Sequence, residues 1–220
     1  MTRIKICGIT RVEDAFSAIR WGADSIGFLV GQRHASPDFL TAEAAGSIIA
    51  KLPPLVNTVL VTHLLTADEV LDTLEMTGAD TVQLHGEITP AEIIRLREWR
   101  PRLKIIKSFH VVDEACVEYG LPYVAFVDAF VLDSLNAETN QIGGTGLVHD
   151  WEISSRIKAR YPIPIILAGG LTPENVADGI AAVRPYGVDV NTGLKNASGF
   201  KDHAKIHSFV EAVRGVHAMV

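Results

Sequence analysis

Gly187–Phe209, GVDVNTGLKNASGFKDHAKIHSF, decides the fold. A short apolar strand carrying Val188 and Val190 ends in Asn191-Thr192-Gly193 and runs into a helical segment. Glycine lets the backbone approach a ligand closely, and free amides at a helix start would face it. That makes a seat for a phosphate or another small anion. Upstream, Ile165–Thr172 (IILAGGLT) repeats the design: an apolar strand, Gly169-Gly170, then a helix opened by Thr172-Pro173-Glu174. Two consecutive strand–glycine–helix units predict the phosphate site that follows strands 7 and 8 of a (β/α)8 barrel. Gly169, Gly170, Asn191, Thr192 and Gly193 are its expected residues.

The rest of the chain agrees. Apolar or β-branched runs at Ile4–Cys7, Ser25–Val30, Thr58–Val61, Thr81–Leu84, Lys104–Ser108, Phe130–Leu132, Ile163–Leu167 and Gly187–Val190 read as strands. Amphipathic stretches alternate with them, among them Val12–Trp21, Thr41–Lys51, Thr66–Thr77, Pro90–Trp99 and Glu174–Val183. Thr41, Thr66 and Thr89-Pro90 are helix starts. Strict alternation predicts a parallel sheet with helices outside. The region Tyr123–Asp128 reads as strand or short helix. Gly22-Ala23-Asp24 and Gly78-Ala79-Asp80 each close a helix, which is helix-stop chemistry. A doubly wound sheet is the competing fold, but its glycine fingerprint belongs after the first strand.

Composition narrows the function. The chain has 220 residues, 48% of them hydrophobic, enough for one α/β barrel domain over residues 1–220. The net charge of −6 and the lack of a basic run argue against nucleic acid. No apolar run reaches the length of a membrane span. The opening residues MTRIKI enter a strand and show no signal-peptide pattern. Cys7 and Cys116 form neither a metal spacing nor a disulfide framework, which fits a reducing cytoplasm. The sequence carries no signal for oligomeric state.

In a parallel barrel the active site lies at the C-terminal strand ends. These carry Cys7, then Arg33 and His34, His63, Gln83 and His85, Lys107 and His110, Asp133, the paired glycines, and Asp189 with Asn191. Cys7 and Asp133 could remove one proton and deliver another, which is isomerase chemistry. A free cysteine is also often a small buried hydrophobe. A carboxylate after Phe130-Val131-Leu132 is costly in a core unless it is paired or at the mouth. The histidines suit both acid–base work and metal binding, though a lone histidine is more often a hydrogen-bonded structural residue; no metal ligand set is assigned. Should a divalent metal bind, His34, His63 and Asp38 are the expected ligands.

Together these residues resemble the phosphoribosylanthranilate isomerase family. The motifs are Lys5-Ile6-Cys7-Gly8-Ile9-Thr10 with Glu13-Asp14-Ala15, Val82-Gln83-Leu84-His85-Gly86, Leu132-Asp133-Ser134, Gly143-Gly144-Thr145-Gly146 with Asp150-Trp151, Leu167–Val176, and Gly187–Val190. The resemblance implies an Amadori rearrangement of N-(5′-phosphoribosyl)anthranilate in tryptophan biosynthesis, with a small phosphorylated sugar as substrate and no cofactor. It implies Asp133 as general acid, Cys7 as base, and Asp189 on the sugar hydroxyls. Gln83, His85 and Arg33 complete the expected substrate contacts.

Four positions depart from the family pattern. Asp38 stands where the family has an arginine for the anthranilate carboxylate, with Arg33 as its expected substitute. Lys195 replaces an acid and adds positive charge near the phosphate. His63 replaces a small polar residue, and Leu147-Val148-His149 lacks the usual lysine. The anthranilate end is therefore expected to be more polar and to bind product analogues weakly. That leaves two alternatives open: a paralogue acting on another phosphosugar, or a non-catalytic phosphometabolite binder.

Overall fold

The computed structural model describes residues 1–33, 36–136, 141–142 and 149–218. Eight parallel strands close into a barrel: β1 Arg3–Ile6, β2 Ser25–Val30, β3 Asn57–Thr62, β4 Thr81–Leu84, β5 Lys104–Val111, β6 Ala129–Asn136, β7 Ile165–Leu167 and β8 Gly187–Val190. Each pairs with its sequence neighbours. The ring shuts because β1 pairs with both β2 and β8. Two-residue strands, Phe39–Leu40 and Gln141–Ile142, attach to β2 and β6.

Helices α1 Val12–Trp21, α2 Ala42–Ile49, α3 Ala67–Thr77, α4 Pro90–Trp99, α5 Trp151–Arg160, α6 Val176–Val183 and α7 His203–Ala218 cover the outside. Thr41, Thr66 and Thr89 accept from the amides of Ala44, Glu69 and Glu92, as their capping pattern predicts. Gly22 and Gly78 end α1 and α3 in the left-handed conformation, which glycine adopts without a Cβ penalty. Strand side chains alternate between two faces. One face of the barrel interior holds Ile106, Ala129, Val131, Ile166 and Ala168, with Cys7, Val59 and Val61 in a neighbouring cluster. The other faces pack on the helices around Phe28, Phe130 and Phe209.

Two segments differ from the sequence reading. Tyr123–Asp128 is a run of turns, neither strand nor helix, and a five-residue 3-10 helix, Glu114–Glu118, replaces the helix expected between β5 and β6. Gly120 ends that segment against the Tyr161 and Phe130 rings, too close for any Cβ. After β8 the helical segment is a single 3-10 turn, Thr192–Leu194. The Asn196 side chain then accepts from the amides of Ser198 and Phe200, holding a turn that delays the next helix to His203.

Aspartates tie the N-terminal end of the barrel together. Asp24 accepts from the Ile4 amide at 2.8 Å and from Arg3 at 2.8 Å. Asp80 accepts from the Thr58 amide and hydroxyl. Asp128 accepts from the Ile105 amide at 2.8 Å and pairs with Arg97 and Lys104. The aspartates of the Gly-Ala-Asp repeat thus stitch each new strand to its neighbour.

Candidate active site

Cys7 follows β1, its amide donating to the Val190 carbonyl at 2.9 Å. Gly8 then turns with φ +68°, where a Cβ would overlap the Asn191 side chain. Lys5, two residues before Cys7, shares its face of the strand. Lys5 stands opposite Asp189 in the β1–β8 register, and its ammonium donates to Asp189 Oδ2 at 2.6 Å with both groups buried. Gly27 on β2 leaves room for both side chains: a Cβ there would stand 2.8 Å from Cys7 Sγ and 3.2 Å from Lys5 Cε. Burial pushes the Cys7 thiol up to about 11, with Lys5 and Lys201 pulling the other way.

Asp133 lies opposite His110 in the β5–β6 register. Burial pushes its carboxyl up to about 7, against the Ser134 amide that donates to Oδ1 at 2.7 Å. The Lys5–Asp189 pair acts on both Cys7 and Asp133 electrostatically. A carboxyl near neutrality can donate a proton at physiological pH, which an ordinary aspartate cannot.

Gln83 and His85 face inward from β4 and meet on one hydroxyl. Gln83 Nε2 donates to Ser108 Oγ at 3.1 Å, and His85 Nδ1 lies 3.0 Å from the same oxygen. His85 Nε2 is 3.8 Å from Asp133 Oδ2. Burial, with His110 and His63 beside it, holds the His85 imidazole well below its usual range and therefore neutral. The His63, His85 and His110 rings form an edge-to-face ladder with centroids 5.1 and 5.2 Å apart. His34 lies outside the described residues, as does Gly143–Gly146. Among the described residues no three His, Cys, Asp or Glu side chains gather as a metal-ligating group.

The ring of strand ends predicted from sequence needs two corrections. Lys107 points away from the interior, as alternation with Ser108 requires. Its ammonium donates to the Gly86 and Ser108 carbonyls and faces the Phe109 and Tyr123 rings. Asp38 pairs across the barrel mouth with the segment after β8. It is buried and accepts from Lys195 Nζ at 2.6 Å and Asn191 Nδ2 at 3.0 Å. The residue expected to repel a carboxylate is thus neutralised, and the extra positive charge of Lys195 is matched. Arg33 is exposed.

The glycine turns after β7 and β8 come together. Gly169 and Gly170 both have positive φ, +78° and +65°. Asn175 clamps this turn, accepting from the Thr172 amide and donating to the Gly170 carbonyl at 2.9 Å. A Cβ on Gly193 would overlap the Leu171 carbonyl, so only glycine lets the turns touch. Among the described residues the amides of Gly170, Thr192 and Gly193 donate to no backbone carbonyl. The Asn191 side chain is engaged by Asp38 and Lys201, the latter donating at 2.6 Å. Sequence reasoning marks Lys195 near the phosphate but does not mark Lys5, Ser108 or Lys201 as site residues. Strand alternation placed Lys5 beside Cys7 and Ser108 beside His110; nothing local marked Lys201.

Comparison with known proteins shows the family. The family model described as N-(5'phosphoribosyl)anthranilate (PRA) isomerase matches residues 4–212. A curated protein of Methanosarcina mazei named N-(5'-phosphoribosyl)anthranilate isomerase 2 is 48% identical over 96% of this chain and 94% of its own. The similarly named protein of Methanocella arvoryzae is 41% identical over 97% of this chain and 99% of its own. The crystal structure of phosphoribosyl anthranilate isomerase from Thermotoga maritima superposes with TM-score 0.86 at 36% identity, covering 98% of this chain and 100% of that one. A second such structure holds reduced 1-(O-carboxyphenylamino)-1-deoxyribulose 5-phosphate; it matches with TM-score 0.83 at 34% identity, covering 98% of this chain and 100% of that one. The chain belongs to the N-(5'-phosphoribosyl)anthranilate isomerase family.

Proposed function

We propose that this chain catalyses the Amadori rearrangement of N-(5′-phosphoribosyl)anthranilate in tryptophan biosynthesis. Asp133 donates its proton to the furanose ring oxygen as the C1–O bond breaks and the anilino nitrogen forms an iminium. Cys7 thiolate then takes the C2 proton. The electron pair flows into the iminium and gives an enolamine, which tautomerises to the aminoketone. The substrate's own imine is the electron sink, so this reading needs no cofactor. Asp189 holds sugar hydroxyls through its Oδ1 atom, which has no hydrogen-bond partner among the described residues. Gln83 and His85 line the acid side. The amides of Gly170, Thr192 and Gly193 seat the phosphate, with Gly169 shaping the turn and the Asn191 backbone leading into it.

The observation that carries this reading is Asp133 on β6, a carboxyl whose side chain is only 13% exposed and which burial pushes up to about 7, in one barrel mouth with Cys7. The pairing of Asp38 with Lys195 removes the main objection to an anthranilate carboxylate in this mouth. No helix among the described residues is long and apolar enough to cross a membrane, and the two free cysteines fit a cytoplasmic enzyme. The test is turnover of the phosphoribosylanthranilate substrate, followed by loss of its fluorescence. Asp133→Ala and Cys7→Ala should each lower kcat by about 10²-fold or more with KM little changed. No turnover by the wild type, with tight binding of ribose 5-phosphate, would favour the phosphometabolite binder instead.

A further inference from the structure

We propose that Lys5, seated by Asp189, is the positioning residue and charge partner of the Cys7 thiolate. The proposal rests on the reading of Cys7 as base and adds how that base is formed. Three observations carry it. Lys5 and Cys7 point the same way from adjacent inward positions, and both crowd the space above Gly27. The Lys5 ammonium is buried and anchored 2.6 Å from Asp189 Oδ2, so it has one place to be. Burial works against its charge, but Asp189 and Cys7 outweigh burial and hold the lysine above its usual range.

The chemistry needs such a partner. Cys7 at about 11 and Asp133 at about 7 are inverted relative to their tasks. The active form has the thiol ionised while the carboxyl keeps its proton. Between those values the pair holds one proton, and the active arrangement is the minority one. Each tenfold gain in thiolate is then a tenfold gain in kcat/KM. The charged groups acting on Cys7 are Lys5 on its own strand, Asp189 on β8, and Lys201 from the segment before α7. Asp189 opposes the thiolate. It therefore orients the ammonium and blunts its effect at once.

The experiment reads the thiol directly, in a Cys116→Ala background so that Cys7 alone titrates. The carbon-13 shift of the Cys7 β-carbon is followed against pH without substrate. Lys5→Met should move the midpoint up by about one pH unit or more and lower the plateau kcat/KM about tenfold or more, while Lys5→Arg recovers much of both. Asp189→Asn keeps the ammonium and removes the opposing anion, so its midpoint should move down. This opposite sign distinguishes a charge partner from a packing residue. An unchanged or lowered midpoint in Lys5→Met would overturn the proposal. If Lys5→Met does not fold, Lys5→Gln is titrated in its place, with the same rise expected and an unchanged midpoint overturning the proposal. The titration is independent of turnover, so wild-type activity in Cys7→Ala would remove the base reading without altering this result.

Discussion

The two ends of the barrel use the same residue type for opposite purposes. At the N-terminal end Asp24, Asp80 and Asp128 each accept from a strand amide or its neighbour and from a second donor. For Asp128 burial is outweighed by the Ile105 amide and Arg97, and its carboxyl sits below the usual range. At the C-terminal end Asp133 has one amide donor, and burial holds it up to about 7. There, among the described residues, Gln83 Oε1, His110 Nε2 and Asp189 Oδ1 are buried with no hydrogen-bond partner. Satisfied carboxylates hold strands together. Incompletely satisfied ones store free energy that a substrate can release on binding, which is why such groups concentrate at sites.

The comparison breaks first at the glycines. Gly169→Ala forces a side chain into left-handed backbone and onto Ser134, and should lower stability by about 3 kcal/mol or more while raising KM. Denaturant unfolding with matched kinetics checks both. At the opposite end, Asp128→Ala leaves Arg97 without its carboxylate and the Ile105 amide without an acceptor. It should lower stability by about 1–3 kcal/mol with kcat/KM of the folded enzyme unchanged, since the effect lies far from the mouth. A large fall in kcat/KM there would erase the division between the two ends.

The smallest effect is a pH slope. With Asp133 near 7 and Cys7 near 11, kcat/KM should be flat between those values. Below about 7 both groups carry protons, the base is lost, and the rate should fall about tenfold per pH unit. A profile rising as pH drops through 7 would mean that no thiolate is needed.

Much of this was legible in the sequence because it depends on local rules. The capping threonines, the Gly22 and Gly78 helix stops and the strands Ser25–Val30, Thr81–Leu84 and Gly187–Val190 follow from propensity and period. Cys7, Asp133 and Asp189 were found because strand ends define the mouth of a barrel. What escaped depends on contacts between distant residues. Asp38 looked like a defect and Lys195 like an added charge, yet they lie 157 residues apart and form one ion pair. Lys107 was misplaced because a strand end was read without its alternation. The Glu114–Glu118 turn stands where alternation predicts a helix, and it leads to Gly120, which meets Tyr161, a contact no local pattern shows.

The central claim is that Asp133 is strained for function, and Asp133→Asn measures that most directly. The unfolded chain loses the Asp133 proton near 4, whereas the folded protein keeps it to about 7. Between those values wild-type stability falls as pH rises, and it stays reduced above them. The asparagine variant carries no such penalty. At pH 8 it should melt a few degrees above wild type, with the gap closing below about pH 4, and its kcat should be lower by about 10²-fold or more. An equal or lower melting temperature at pH 8, or wild-type turnover, would contradict the account.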